Sequence, residues 1–176
     1  MRTFVRVPIF LGAFLLVVGA MAGDLETSGD DSGDSVNVGL VKSGYAAFAA
    51  GDMDGVVGLM SPDLVWHEAE TLPYGGVYHG PDAVMENIFT ALGRDWSDYA
   101  AEPLRFIDGG DHVVVLGEYR GIHVESGGRL KTPFAHVWRM EEGQLVEFHQ
   151  FTDTAAWLAA ADGCMMVTRI YSGLLC

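Results

Sequence analysis

Two ionisable side chains and one amide, Glu68, His136 and Gln150, interrupt strand-like runs of aromatic and β-branched residues. Side chains alternate between the two faces of a strand, so His136 shares a face with Phe134 and Trp138. Burial between two large aromatic rings favours the neutral imidazole. This pattern fits either a core histidine bonded to a backbone carbonyl or a general acid/base or oxyanion donor. The sequence leaves both readings open.

Glu68 ends the first strand-like run, residues 64–68, and shares a face with Trp66. A carboxylate at that position lies either at the mouth of a pocket or in solvent at the end of a strand. Gln150 lies on an apolar face of the last strand, where its amide can donate and accept hydrogen bonds without carrying charge. We therefore take Glu68, His136 and Gln150 as the candidate catalytic residues.

Seven further residues are candidates for binding a ligand. Five are aromatic residues on or near the same strand faces, and would form the walls of a pocket: Trp66, Tyr78, Phe134, Trp138 and Phe148. The other two, Glu118 and Arg120, are two residues apart on one face of a long strand. They form either a surface ion pair, worth about 0–1 kcal/mol, or a polar part of the pocket.

The remaining histidines and glycines match no familiar motif. His67, His79 and His112 lie on different predicted elements without HxxxH or HExxH spacing, so we expect no metal site. His149 stands beside Glu147 on the strand face opposite Gln150, where we expect solvent. The sequence has no GxSxG motif and no glycine-rich loop between a strand and a helix, so we expect no bound cofactor.

The charge of the chain excludes one class of partner. The 176 residues include 10 basic and 24 acidic side chains, for a formal net charge of −14. Binding to nucleic acid depends on the neutralisation of phosphates by Lys and Arg, so we expect no nucleic-acid partner.

Both ends of the chain differ in composition from its middle. Residues 1–22 have the basic start, apolar run and small residues of a secretory signal peptide cleaved near Ala22, which predicts export to the periplasm or the cell exterior. If this segment is not cleaved, it is instead a membrane anchor. Residues 23–36 read as a flexible acidic linker and 162–176 as a C-terminal tail, in which Cys164 and Cys176 are either a disulfide or two free thiols.

The residues between these ends, 37–161, have the length of one domain. Hydrophobic periodicity predicts helices first and a series of hairpins afterwards, with a loop at 70–78. This order predicts an α+β fold, in which helices pack on the concave face of a curved antiparallel or mixed sheet. The helices are expected at 38–49, 53–60, 80–92 and 154–161, and the strands at 64–68, 100–107, 112–124, 130–140 and 144–152.

Several short motifs in this region occur in an order that suggests a family. They are FAAGDMD at 48–54, LVWHE at 64–68, GVYHGPDAV at 76–84, FAHVWR at 134–139, GQLV at 143–146 and Asp153-Thr154. Together they resemble the SnoaL-like proteins of the nuclear-transport-factor-2-like superfamily, which includes polyketide cyclases and ketosteroid isomerases. The resemblance covers residues 38–160 and implies a cone-shaped α+β barrel, often a homodimer through the outer face of the sheet.

The resemblance also suggests roles for the candidate residues. His136 matches the pocket histidine of the cyclases, whereas Gln150 stands where those cyclases have a catalytic Asp. The carboxylate base of the isomerases falls near Glu68 and their protonated oxyanion donor near His136. The resemblance thus implies proton transfer next to a carbonyl of a small apolar molecule, with Glu68 as base and His136 and Gln150 stabilising the enolate. The alternatives are a non-catalytic binder of an apolar ligand and a dimerising interaction module.

Overall fold

The computed structural model describes residues 34–163. The predicted signal peptide, most of the predicted linker, and the tail from residue 164 onward, including Cys164 and Cys176, lie outside the described residues. No helix among the described residues is long and apolar enough to cross a membrane.

Two helices begin the described chain. Helix α1, Val36–Ala50, starts where the Ser35 hydroxyl accepts a hydrogen bond from the N–H of Val38 at 3.3 Å. It ends at Gly51, whose φ of 73° is in the left-handed region that glycine adopts without strain. Helix α2, Met53–Val57, follows at once.

Six strands form one mixed sheet. They are β1 (Met60–Glu68), β2 (Gly76–His79), β3 (Trp96–Gly109), β4 (His112–His123), β5 (Arg129–Glu141) and β6 (Gln144–Thr152), in the spatial order β2-β1-β6-β5-β4-β3. Strands β1 and β6 are parallel, and every other neighbouring pair is antiparallel. The parallel pair joins the start of the domain to its last strand.

Three more helices complete the domain. Helix α3, Gly80–Val84, leads through a π-helical turn, Met85–Phe89, into α4, Thr90–Asp95. Helix α5, Thr154–Ala161, follows β6 and is capped by Asp153, whose side chain accepts hydrogen bonds from two backbone N–H groups.

Side chains alternate between core and outer face along the strands. On β4, for example, Val113, Val115 and Tyr119 are buried, whereas Leu116 and Arg120 between and beyond them are exposed. The buried faces of the strands pack against α1 and the helices after β2, with Trp157 of α5 also in the core. The inner face of the sheet is therefore the face that can carry a cavity.

The predicted α+β class and its curved sheet are confirmed. The last strand and the last helix have the predicted bounds, while four local predictions were wrong, one of them the strand expected from residue 100, which begins at Trp96. The predicted loop 70–78 contains the start of β2; the helix predicted over 53–60 ends at Val57; and strand β1 begins at Met60 rather than Leu64. Pro62 does not stop β1, because the strand lacks regular pairing between Met60 and Val65, where its register shifts.

Candidate active site

A cavity of about 60 Å³ lies between the inner face of the sheet and the helices. Its walls include all three candidate catalytic residues and three of the predicted aromatic residues: Glu68, His136, Gln150, Trp66, Trp138 and Phe148. The volume suffices for a few water molecules and lies well below the roughly 300–1,000 Å³ of sites for drug-sized ligands. In this conformation the cavity therefore accepts only a small molecule or part of a larger one.

Among the described residues that line this cavity, Glu68 carries the only carboxyl group. Its side chain is 4% exposed, and the indole N–H of Trp66 donates a hydrogen bond to its Oε2 at 2.8 Å. Burial raises the pKa of Glu68 to about 7, although the hydrogen bond from Trp66 and the nearby amide of Gln150 oppose the rise. Near neutral pH such a carboxyl group is divided between its acid and base forms, which suits it to move a proton.

His136 lies opposite two tyrosines, one from a helix and one from the neighbouring strand. Its Nδ1 is 2.6 Å from the hydroxyl of Tyr45 on α1, and its Nε2 is hydrogen-bonded to the hydroxyl of Tyr119 on β4. Complete burial lowers the pKa of His136 to about 3, so the imidazole is neutral at neutral pH. Both ring nitrogens are occupied, so His136 cannot donate directly to a ligand while these bonds are intact. His136 could therefore act as an oxyanion donor only indirectly, by orienting a tyrosine hydroxyl.

The direction of these hydrogen bonds follows from Gln150. Its Oε1 accepts from the backbone N–H of Ala69 at 3.2 Å, which leaves its Nε2 to donate to Tyr119 at 2.9 Å. The hydroxyl proton of Tyr119 then has one acceptor at hydrogen-bond distance among the described residues, Nε2 of His136. A neutral imidazole that accepts at Nε2 carries its proton on Nδ1, which donates to Tyr45.

Two donors are left without an acceptor at hydrogen-bond distance among the residues that the structure describes. The hydroxyl proton of Tyr45 has no acceptor at hydrogen-bond distance among the described residues. The indole N–H of Trp138 lies close enough to the Tyr45 oxygen to lower the pKa of that phenol, but no acceptor in residues 34–163 lies within hydrogen-bond distance of it. Both residues line the cavity. A buried donor without an acceptor costs roughly 1–3 kcal/mol, so an oxygen atom of a ligand would be stabilised there.

A larger groove of about 560 Å³ adjoins the cavity between α1 and β3. The two spaces share four lining residues, Tyr45, Phe48, Tyr99 and Ala101. The aromatic side chains among these four residues separate the groove from the cavity. The rings of Phe48 and Tyr99 meet edge to face, with centres 6.1 Å apart. The groove and the cavity that holds Glu68 are therefore neighbours that share part of their walls.

Three of the seven predicted binding residues line the cavity, and Phe134 lies directly behind it. Its ring stacks on the imidazole of His136, with centres 4.1 Å apart, and so holds the imidazole from one side. Tyr78 is half-buried on β2, where its hydroxyl donates to the carbonyl oxygen of Tyr74 at 2.7 Å, and it does not line the cavity.

Glu118 and Arg120 lie on the other face of β4. Nε of Arg120 donates to Glu118 at 2.9 Å, and its guanidinium also lies 3.1 Å from Glu102, while Lys131 lies 3.6 Å from Glu118. These side chains form a surface charge network outside the cavity. The alternation on β4 explains their position, because the buried side chains of this strand are at odd numbers.

The two tyrosines that hold His136 were not predicted from the sequence. Tyr45 is part of the helical spacing that predicted α1, where it was indistinguishable from an ordinary core residue. Tyr119 lies between Glu118 and Arg120, so its burial follows from the exposure of those neighbours. No sequence signal joins either tyrosine to His136, which is 91 residues from Tyr45.

Comparison with known proteins agrees with this architecture. The model of the SnoaL-like domain family matches residues 41–148. The chain belongs to the SnoaL-like family. An NTF2-like protein from Burkholderia thailandensis has 31% identity and a TM-score of 0.69, with 73% of this chain and 98% of that chain covered. No curated protein sequence matches the chain.

Two further solved structures share the fold of this SnoaL-like domain. TerC, co-crystallised with polyporic acid, has 26% identity and a TM-score of 0.67, with 73% of this chain and 99% of that chain covered. A protein of ketosteroid isomerase-like fold from Catenulispora acidiphila, in complex with trimethylamine, has 15% identity and a TM-score of 0.61, with 69% of this chain and 91% of that chain covered. The latter likeness concerns the fold alone.

Proposed function

We propose that this SnoaL-like domain catalyses proton transfer at a carbon next to the carbonyl group of a small apolar molecule. The observation that carries the proposal is the buried carboxyl group of Glu68, with a pKa of about 7, in a cavity whose unpaired polar groups are neutral donors. A carboxylate base opposite neutral donors in an apolar site is the arrangement that enolisation requires.

The proposed step conserves protons and electrons within the site. Ionised Glu68 takes a proton from the α-carbon, the electrons of the C–H bond form the C=C bond of an enolate, and the carbonyl oxygen gains the negative charge. The hydroxyl of Tyr45 and the indole N–H of Trp138 donate to that oxygen. Glu68 then returns the proton to the same carbon or to a conjugated one. His136 and Tyr119 position Tyr45 and donate no hydrogen bond to the substrate.

The ligand would reach this site through the groove between α1 and β3. The groove of about 560 Å³ offers the room that the cavity of about 60 Å³ lacks. Its walls include Phe106 and Pro103 but also Lys42 and Glu102, so the part of a ligand that stays in the groove would meet a mixed surface. A small ketone requires only the cavity.

The test is deuterium exchange at the α-carbon of small enolisable ketones in D₂O, followed by NMR with purified protein. Glu68→Gln should slow exchange by about 10²-fold or more, the usual contribution of a general base. Glu70→Gln, the loss of an exposed carboxylate two residues away, should leave the rate unchanged. The rate should rise with pH through about 7, because the base form of Glu68 is then populated. Equal exchange in Glu68→Gln and the parent protein would refute the assignment.

A second candidate, a binder without catalysis, is favoured by one observation. Gln150 cannot take a proton, and its amide, like His136, is occupied by protein partners. Such a site would hold an apolar ligand through Tyr45 and Trp138 alone. Native mass spectrometry after gentle purification should then show a bound molecule that is absent from the Trp138→Phe variant. The control variant Trp96→Phe should retain it, because Trp96 is a core residue outside the cavity lining. Protein that is repeatedly empty would argue against this candidate.

We also propose that the mature protein acts outside the cytoplasm, on the basis of the signal-peptide pattern of residues 1–22. Mass spectrometry of the protein from a secretion-competent host should give a chain that begins at Gly23. An intact N-terminus in the membrane fraction would instead support an uncleaved anchor.

A further inference from the structure

The outer face of the sheet, opposite the cavity, brings together two histidines and a glutamate. Strands β1 and β6 run parallel, and their register sets His67 beside His149 and Val65 beside Glu147. Cross-strand neighbours share a face, so His67, Glu147 and His149 form one patch on the outer side. The cluster does not share any residue with the cavity.

The polar atoms of this cluster converge on one point. Oε1 of Glu147 lies 2.8 Å from Nε2 of His149 and 3.7 Å from Nε2 of His67, and one ligand atom of each residue lies within 4.8 Å of the others. The two imidazole rings are parallel, with centres 4.0 Å apart. The side chains are 34% (His67), 31% (Glu147) and 37% (His149) exposed, so an ion from solvent can reach all three.

These separations suit a transition-metal ion. With metal–ligand bonds of about 2.0–2.1 Å, two ligands of a tetrahedral ion are roughly 3.3 Å apart. The distances from Oε1 of Glu147 to His149 and His67, 2.8 and 3.7 Å, lie on either side of that value. Small side-chain rotations would therefore bring the three ligand atoms to tetrahedral spacing. Imidazole nitrogen with one carboxylate oxygen suits zinc and its neighbours rather than calcium or magnesium, which prefer oxygen ligands.

A fourth side chain fixes the carboxylate of this cluster. Nε of Arg139 on β5 donates to Oε2 of Glu147 at 2.9 Å, which leaves Oε1 directed at the two histidines. Partners of this kind orient a metal-binding carboxylate without contacting the ion. His67, in turn, is too far from Glu147 for a hydrogen bond, so its Nε2 is not committed to that carboxylate.

We propose that His67, Glu147 and His149 bind one divalent transition-metal cation on the outer face of the sheet, with a remaining coordination position that these three residues do not fill. The ion would join β1 to β6, the one parallel pair of the sheet. Because the ligands come from strands 80 residues apart in the chain, binding would occur in the folded state and would stabilise it.

The test uses the whole protein without an affinity tag, with Cys164→Ser and Cys176→Ser to remove thiols as competing ligands. After treatment with EDTA, the protein is titrated with ZnCl₂ by isothermal calorimetry. We expect one saturable equivalent, and loss of a direct ligand should cost at least the roughly 100-fold upper limit seen for outer-shell partners. His67→Ala and His149→Ala should both show this loss.

The matched control is His112→Ala, because His112 is paired with Asp111 at 2.7 Å and lies opposite Arg139 in the β4–β5 register, but contributes no ligand atom to the cluster. Circular dichroism without metal should show that all three variants remain folded. Zinc should also raise the thermal midpoint of the parent protein and of His112→Ala, but not of the other two. Absence of saturable binding in the parent protein, or equal affinity in His149→Ala, would overturn the proposal.

Discussion

The pKa of Glu68 makes a quantitative prediction about folding stability. In the unfolded chain this carboxyl group titrates at its ordinary value of 4.5, whereas in the folded protein burial raises its pKa to about 7. Between these values the folded state holds a proton that the unfolded state has released. The free energy of unfolding therefore decreases as the pH rises from 4.5 to about 7, and the stabilisation by this proton is complete only below 4.5.

The magnitude follows from the size of the shift. At 1.36 kcal/mol for each pKa unit, a change from 4.5 to about 7 amounts to about 3 kcal/mol. Most of it, about 2–3 kcal/mol, should be lost between pH 5 and pH 8.5. In the wild-type protein an opposite contribution from His136 conceals this loss, because burial lowers the pKa of its imidazole.

Comparison with Glu68→Gln separates the two contributions. The neutral amide has nearly the shape of the carboxylic acid and does not titrate, and His136 is present in both proteins. Urea unfolding at pH 5, 7 and 8.5 should show that the variant gains about 2–3 kcal/mol relative to the wild-type protein as the pH rises. Glu70→Gln, which changes an exposed carboxylate, serves as the control. A difference between Glu68→Gln and the wild-type protein that stays constant within about 0.5 kcal/mol would refute the inferred burial of a titrating carboxyl group.

Three further results are expected. In the Glu68→Gln protein, the free energy of unfolding should fall by about 2 kcal/mol from pH 7 to pH 5. The reason is that the pKa of His136 is 6.5 in the unfolded chain but about 3 in the folded protein, so only the unfolded chain gains this proton. A free energy of unfolding that does not change over this pH range, measured with urea, would contradict this. Gly117→Ala should lower the thermal midpoint, since a Cβ there would overlap the backbone of β3 and a phenyl ring of β5, whereas Gly93→Ala, with open space at its Cβ, should not lower it. Finally, the family resemblance predicts a homodimer through the outer sheet face, so sedimentation should give twice the mass of one chain. Phe151 is 55% exposed on that face, and Phe151→Lys should shift the protein from dimer toward monomer. A wild-type protein that is monomeric at all concentrations would contradict the prediction.

The second half of the fold was predictable because its signals are local. Short glycine-rich links separate runs of alternating apolar residues, so the bounds of β6, 144–152, and α5, 154–161, follow from the sequence. Strand β2 was missed because it is four residues long, follows Pro73 and Gly75, and itself begins with Gly76, residues that normally mark a loop. Strand β2 forms through its antiparallel pairing with β1, which its own composition does not predict.

Strand alternation also predicted part of the candidate site. It correctly grouped His136 with Phe134 and Trp138 on the buried face of β5. It could not reveal the tyrosines, because hydrogen bonds between α1, β4 and β5 depend on how a helix packs across the sheet. The same limit explains the outer cluster: His67 and His149 seemed unrelated until the parallel pairing of β1 with β6 set them side by side.

Burial acts on the carboxyl group of Glu68 and the imidazole of His136 with different consequences. It disfavours the charged form of each, so the pKa of Glu68 rises to about 7 while that of His136 falls to about 3. At neutral pH the cavity therefore holds a carboxyl group that can exchange its proton and an imidazole that stays neutral. No cationic side chain lines the cavity among the described residues, so an enolate formed there would depend on neutral hydrogen-bond donors. In our proposal His136 accepts a hydrogen bond from Tyr119 and donates one to Tyr45. The hydroxyl proton of Tyr45 is then free to face the substrate. Replacing Tyr119 by Phe should accordingly reduce deuterium exchange through a misoriented Tyr45, without moving the pH dependence set by Glu68.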